Sequence, residues 1–244
     1  PLLGNSPTWG LLVPAIAAAV LLPPLAFALP DRQLETQPPR FTLRELAQSY
    51  WINPVGRPSF AALLVTAFCA IGAYAIPQIY LYYVLAFTIK VPESDLPGSV
   101  SLLAAIGAVA AIGAGALGGY LSDKLRRRKV FVIGSGLLLI AGTMVMMLAR
   151  DFATLTVSQF MLAVAGGLLV TILLSVVAEV SNVETTARDA GMFSTVITLP
   201  NVIVPLIFGA VFVAAIPDFT VVFVTSLVLA AVACVLTFFI RDVP

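Results

Sequence analysis

The sequence contains no histidine, only two cysteines and few charges. Without His there is no Ser-His-Asp or Cys-His catalysis, no His-ligated metal and no imidazole proton relay. Cys69 and Cys234 both sit inside long apolar runs. That placement argues against a disulfide framework, Cys-x-x-Cys redox chemistry and a cysteine zinc site. Charged residues make up 10% of the 244, where an ordinary soluble domain carries about a quarter. A soluble fold of this size could not cover its surface with so little charge. Lys and Arg number 13 against 12 Asp and Glu, a net charge of +1, so no basic footprint for nucleic acid exists. No catalytic constellation, cofactor motif or metal-ligand cluster is visible, and an enzyme is not expected.

What the sequence has in abundance is apolar length: 60% of residues are hydrophobic and the mean hydropathy is +1.06. A membrane-crossing helix needs roughly 20 mostly apolar residues. Seven stretches qualify: Trp9–Leu29, Ser59–Ile89, Ser99–Ser122, Val130–Ala149, Ala153–Ala178, Gly191–Ala214 and Phe219–Ile240. Not one charged residue lies inside any of them. The exclusion is physical, since an Arg, Lys or Asp at the bilayer centre costs about 2.5–3.5 kcal/mol. The expected fold is therefore an all-α integral membrane protein with seven spans, and the lipid bilayer is its first partner.

Orientation follows from Lys and Arg in alternate loops. Arg32, Arg40, Arg44, Arg57, Lys124, Arg126, Arg127, Arg128, Lys129, Arg188 and Arg241 fall on one side, and only Lys90 and Arg150 on the other. The first side should be cytoplasmic, with the N-terminus outside, the C-terminus inside and the chain in the plasma membrane. The first span lacks a basic n-region and is too long for a signal peptide. The chain begins at Pro1 rather than Met, so a fragment or a processed form is expected.

The connections divide the chain unequally. Residues 1–30 form one span, 31–58 a cytoplasmic linker and 59–244 a bundle of six helices. Pro38-Pro39 interrupts the linker. Phe41–Trp51 reads as a short amphipathic helix in which Thr42 and Glu45 make a capping box. It suits either a helix lying at the membrane interface or a linker packed beneath the bundle.

Within the bundle, Gly107, Ala111, Gly115 and Gly119 recur every four residues and form a strip that admits a close helix neighbour. Gly113 and Gly118 widen it, and Ala163 and Gly167 repeat the device in the fifth span. The strip serves either plain packing or sliding during a conformational cycle. Pro77 and Pro200 lie near the middles of their spans, where each removes a helical hydrogen bond. No ionisable residue lies mid-membrane. The polar candidates for a substrate pathway are Tyr74, Gln78 and Tyr82 on one face of the second span, Gln159 in the fifth, and Thr198 and Asn201 in the sixth. A buried amide must be satisfied, so Gln78 and Asn201 should face the bundle interior or a wet cavity. The set suits a neutral or polyhydroxylated small-molecule substrate or, equally, hydrogen bonds between helices.

The most specific stretch is Gly119-Tyr120-Leu121-Ser122-Asp123-Lys124-Leu125-Arg126-Arg127-Arg128-Lys129. It resembles the loop signature of the major facilitator superfamily, G-x-x-x-D-[RK]-x-G-[RK]-[RK]. Gly119, Asp123, Lys124, Arg127 and Arg128 match, and Arg126 stands where the signature has its second Gly. The resemblance implies that the spans are family helices six to twelve, with this loop between helices eight and nine. Pro30–Pro58 is then the central linker between two six-helix halves, and Ala178–Gly191 the loop between helices ten and eleven. It further implies a transporter working by alternating access, whose helices seven, eight, ten and eleven line the pathway. An N-terminal six-helix half, mostly absent from this sequence, would be the partner. In that setting Asp123 would hold a helix N-terminus, and Arg127 and Arg128 would pair with carboxylates of the other half, as a cytoplasmic gate. The competing reading is a seven-helix membrane receptor or sensor. A retinal-binding version is opposed by the absence of lysine from the last span.

Overall fold

The structure is a computed structural model. Its described residues are 16, 18–24, 57–181, 186–214 and 219–240. It divides into two units, Pro1–Leu46 and Ala47–Pro244. In the first unit, residues 16 and 18–24 are helical, with exposed side chains. The rest of the Trp9–Leu29 span and the Phe41–Trp51 amphipathic helix lie outside the described residues.

The second unit holds six long helices among the described residues: α1 (Pro58–Tyr83), α2 (Leu96–Leu125), α3 (Arg128–Leu148), α4 (Phe152–Val180), α5 (Thr186–Ala214) and α6 (Phe219–Thr237). All six are long and apolar enough to cross a membrane. The all-helical membrane fold expected from the sequence is the one observed. α1 starts on Pro58 at its first position, where the missing N–H costs nothing. It continues as a π-helical segment, Val84–Ile89, and closes on Lys90 in the left-handed region (φ 60°). Asp151 caps α4 by accepting hydrogen bonds from the backbone N–H and the hydroxyl of Thr154, both at 2.8 Å.

α1 is the hub and the most buried helix, packing on α4, α5 and α6. α4 packs on α2 and α3, and α3 on α6. α2 rests on α4 far more than on α1 or α3, its neighbours in sequence. The core has two layers. One is built around Ile76, Leu85, Leu103, Leu139 and Leu155, the other around Phe60, Leu63, Leu169, Leu173 and Phe193. Outward faces remain apolar: Val109 and Ile112 of α2 and Leu206 of α5 are each more than 70% exposed. Such surfaces suit lipid or another helix rather than water.

Pro77 makes a visible demand on this packing. It has no N–H, so the Ala73 carbonyl one turn back loses its helical donor. The fully buried Ser226 of α6 donates its hydroxyl to that carbonyl at 2.7 Å. A polar side chain from a neighbouring helix thus replaces the backbone bond that proline removed.

Candidate functional site

Four features of the six-helix unit can do more than pack. The first is the α2–α4 seam. A Cβ at Gly107 would lie 3.6 Å from Ala163 Cβ, and one at Gly115 would lie 2.8 Å from Thr171 Oγ1 and 3.2 Å from the Gly167 carbonyl oxygen. A Cβ at Gly167 would fall on the Ala111 carbonyl itself. The small residues of α2 and those of α4 therefore face one another. Gly119 extends the seam, its Cβ position 3.0 Å from Thr171 Cγ2.

Beside the seam runs an open groove of about 480 Å³, bordered by Tyr74 of α1, by Ala111, Ile112, Gly115 and Ala116 of α2, and by Gly166, Gly167, Val170 and Thr171 of α4. Tyr74 lies midway along the 32 residues of Pro58–Ile89, and its ring fills the space where Gly166 lacks a side chain. Thr171 directs its hydroxyl to the Gly167 carbonyl at 2.9 Å. The Tyr74 hydroxyl has no protein hydrogen-bond partner among the described residues. No charged side chain borders the groove.

The second feature lies one turn further along α1. Gln159 donates its Nε2 to Gln78 Oε1 at 2.8 Å. Gln78 Nε2 and Gln159 Oε1 are buried without protein partners. The pair sits where α1, α2 and α4 meet, since a Cβ at Gly107 would lie 3.8 Å from Gln159 Nε2. Thus Tyr74, Gln78 and Gln159 belong to one neighbourhood. Tyr82 is half exposed and makes an edge contact with Tyr83. Thr198 bonds back to the Ser194 carbonyl at 2.7 Å, and both it and Asn201 are exposed. Asn201 is not enclosed within the six-helix unit, because α5 packs mainly on α1 and leaves its other faces uncovered.

The third feature is the α2–α3 loop. Arg126, in the position of the signature's second glycine, takes the left-handed conformation that glycine favours (φ 49°, ψ 41°). Arg128 bridges Asp123 Oδ1 at 3.2 Å and Glu179 Oε1 at 2.8 Å. Arg128 Nη2 thereby joins the ends of α2 and α4, while its Nη1 is buried without a protein partner among the described residues. Lys124 sits over the Tyr120 ring at 5.8 Å. Arg127 is exposed at the start of α3.

The fourth feature was not legible in sequence. Arg57, just before α1, makes a bidentate pair with Asp189 in the first turn of α5, at 2.9 and 2.8 Å. It also donates to the Val180 carbonyl at 3.4 Å and lies over the Phe60 ring at 4.4 Å. The Asp189 side chain is fully buried. Hydrogen bonding to Asp189 raises the Arg57 pKa above its ordinary value, with burial opposing. One arginine so ties together neighbouring ends of α1, α4 and α5. The two residues are 132 positions apart, and the only hint was an Arg directly preceding a helix-starting Pro.

A family model described as the Major Facilitator Superfamily matches residues 96–244. No curated protein matches the chain.

Proposed function

This chain belongs to the major facilitator superfamily of membrane transporters, and we propose that it is the C-terminal half of a carrier for a small, uncharged, hydroxyl-bearing organic solute. The chain lies in the plasma membrane with its basic loops cytoplasmic. Transport proceeds by alternating access, the α2–α4 seam supplying a smooth surface and the Arg57–Asp189 and Arg128–Asp123–Glu179 clusters holding the basic-loop end together. Asp123, Lys124, Arg127 and Arg128 act at the cytoplasmic gate.

The observation that carries this reading is the groove at Tyr74. It lies midway along the Pro58–Ile89 helix, has no charged border and offers a tyrosine hydroxyl with no protein partner among the described residues. A charged solute would enter such a surface at a cost of several kcal/mol. A neutral one with hydroxyl groups can hydrogen-bond to Tyr74 while its apolar faces lie on Ile112 and Val170. The Gln78–Gln159 pair backs the groove, with one donor and one acceptor in reserve.

The test is uptake of a radiolabelled hexose, a hexitol and a neutral amino acid into proteoliposomes of the intact carrier that contains this chain. The hydroxylated probes are expected to enter saturably, and Tyr74→Phe to raise their KM about threefold to tenfold, the worth of one hydrogen bond, with little change in maximal rate. An unchanged KM in Tyr74→Phe removes Tyr74 from the pathway.

A further inference from the structure

At the end of the bundle opposite the basic α2–α3 loop lies a hollow of about 180 Å³. It opens to the surface between the π-helical segment of α1, the end of α3 and the first turns of α6. Its side chains are of two kinds. Met147, Phe219 and Phe223 are apolar, whereas Thr88, Arg150 and Thr220 are polar.

Arg150 is held in place from one side. Its Nη1 donates to the carbonyls of Met147 (3.4 Å) and Ala149 (3.1 Å), which satisfies the end of α3. Among the described residues its Nε and Nη2 groups donate to no protein atom and no carboxylate pairs with it. Asp151, its neighbour in sequence, is committed to capping α4 through Thr154. The Thr88 hydroxyl likewise has no protein partner among the described residues. A fixed guanidinium with free N–H groups, a hydroxyl and an apolar wall thus share one hollow.

We propose that this hollow binds a phosphate-type oxyanion, with Arg150 and Thr88 as donors and Met147, Phe219 and Phe223 forming an apolar wall beside them. The planar guanidinium matches the oxygens of a phosphate group. The hollow lies at a helix end, the level of lipid headgroups when the bundle spans a bilayer. The same chemistry is presented by the phosphodiester of a phospholipid and by soluble phosphate. The site is independent of the solute pathway, which lies elsewhere in the bundle.

The test measures binding to purified protein in mild detergent. Phosphatidylglycerol and phosphatidylcholine are followed by native mass spectrometry, and inorganic phosphate by the shift in melting temperature. Arg150→Gln is expected to weaken binding about tenfold, as for loss of one charge-assisted hydrogen bond. Because Arg150 also caps α3, Thr88→Val provides a second variant that leaves the cap intact. It is expected to weaken binding about threefold. Lys90→Gln, at the other basic position on this side, should leave binding unchanged. Binding of phospholipid alone assigns the headgroup as ligand, and binding of phosphate alone assigns the soluble anion. The proposal is overturned if neither probe binds, if Arg150→Gln and Thr88→Val bind as well as the parent, or if Lys90→Gln loses as much as Arg150→Gln.

Discussion

Replacing Ser226 by alanine tests whether the bond that proline removed from α1 is truly restored by α6. The Ser226 hydroxyl reaches the Ala73 carbonyl at 2.7 Å in a fully buried setting. Deleting it leaves that carbonyl without a donor, because Pro77 has no N–H. Hydrogen bonds between membrane helices average about 0.6 kcal/mol, with a maximum near 1.7. A buried acceptor left unsatisfied costs about 1–3 kcal/mol. The two ranges overlap at about 1–1.7 kcal/mol, the expected loss for Ser226→Ala. In a Pro77→Ala background the helix can supply its own N–H to Ala73, so the same Ser226→Ala step should cost under about 0.5 kcal/mol. Unfolding in mixed micelles, followed by far-ultraviolet circular dichroism, measures all four members of the cycle. An equal cost of Ser226→Ala in both backgrounds would refute the compensation, and the serine would be merely a packed small residue.

Two further outcomes follow from the ends of the helices. Asp189→Asn keeps the shape of the buried partner but strands the Arg57 guanidinium. Breaking a buried pair typically costs 3–5 kcal/mol. With Arg57 one quarter exposed, about 2–3 kcal/mol is expected in the same unfolding assay, and a loss below that of an ordinary surface pair would show the clamp to be idle. Arg126→Gly should raise stability by about 1 kcal/mol, since glycine adopts the observed left-handed backbone without the penalty an L side chain carries. A lower melting temperature in this variant would show that the Arg126 side chain makes a contact worth more than the strain.

Charge placement made the six spans of the bundle legible because burying an ion in lipid is costly. It marked where lipid begins rather than where helices end. α2 therefore runs from Leu96 through Asp123 and Lys124 to Leu125, beyond the charge-free Ser99–Ser122. α5 begins at Thr186, ahead of Arg188 and Asp189, instead of at Gly191. The spacing of Gly107, Ala111, Gly115 and Gly119 indicated a smooth face, but only packing could reveal that Ala163, Gly167 and Thr171 occupy it. Polarity similarly singled out Gln78, Gln159 and Asn201 without specifying their neighbours. Two of them meet at 2.8 Å, while the third is exposed on α5, because helix order in space differs from order in sequence. Arg57 and Asp189 escaped notice for the same reason. Each reads as one more cytoplasmic charge until the fold brings them together.

The central claim is alternating access to a neutral solute, and counterflow measures it most directly. Proteoliposomes preloaded with unlabelled hexitol are diluted into a trace of the labelled compound. A carrier that exposes its groove to one side at a time should produce a transient overshoot of label, abolished by reversing the charge proposed to act at the gate in Asp123→Lys while membrane insertion is retained. Label that enters without overshoot, at a rate indifferent to the preload and to Asp123→Lys, would contradict the account and describe a channel or a leak instead.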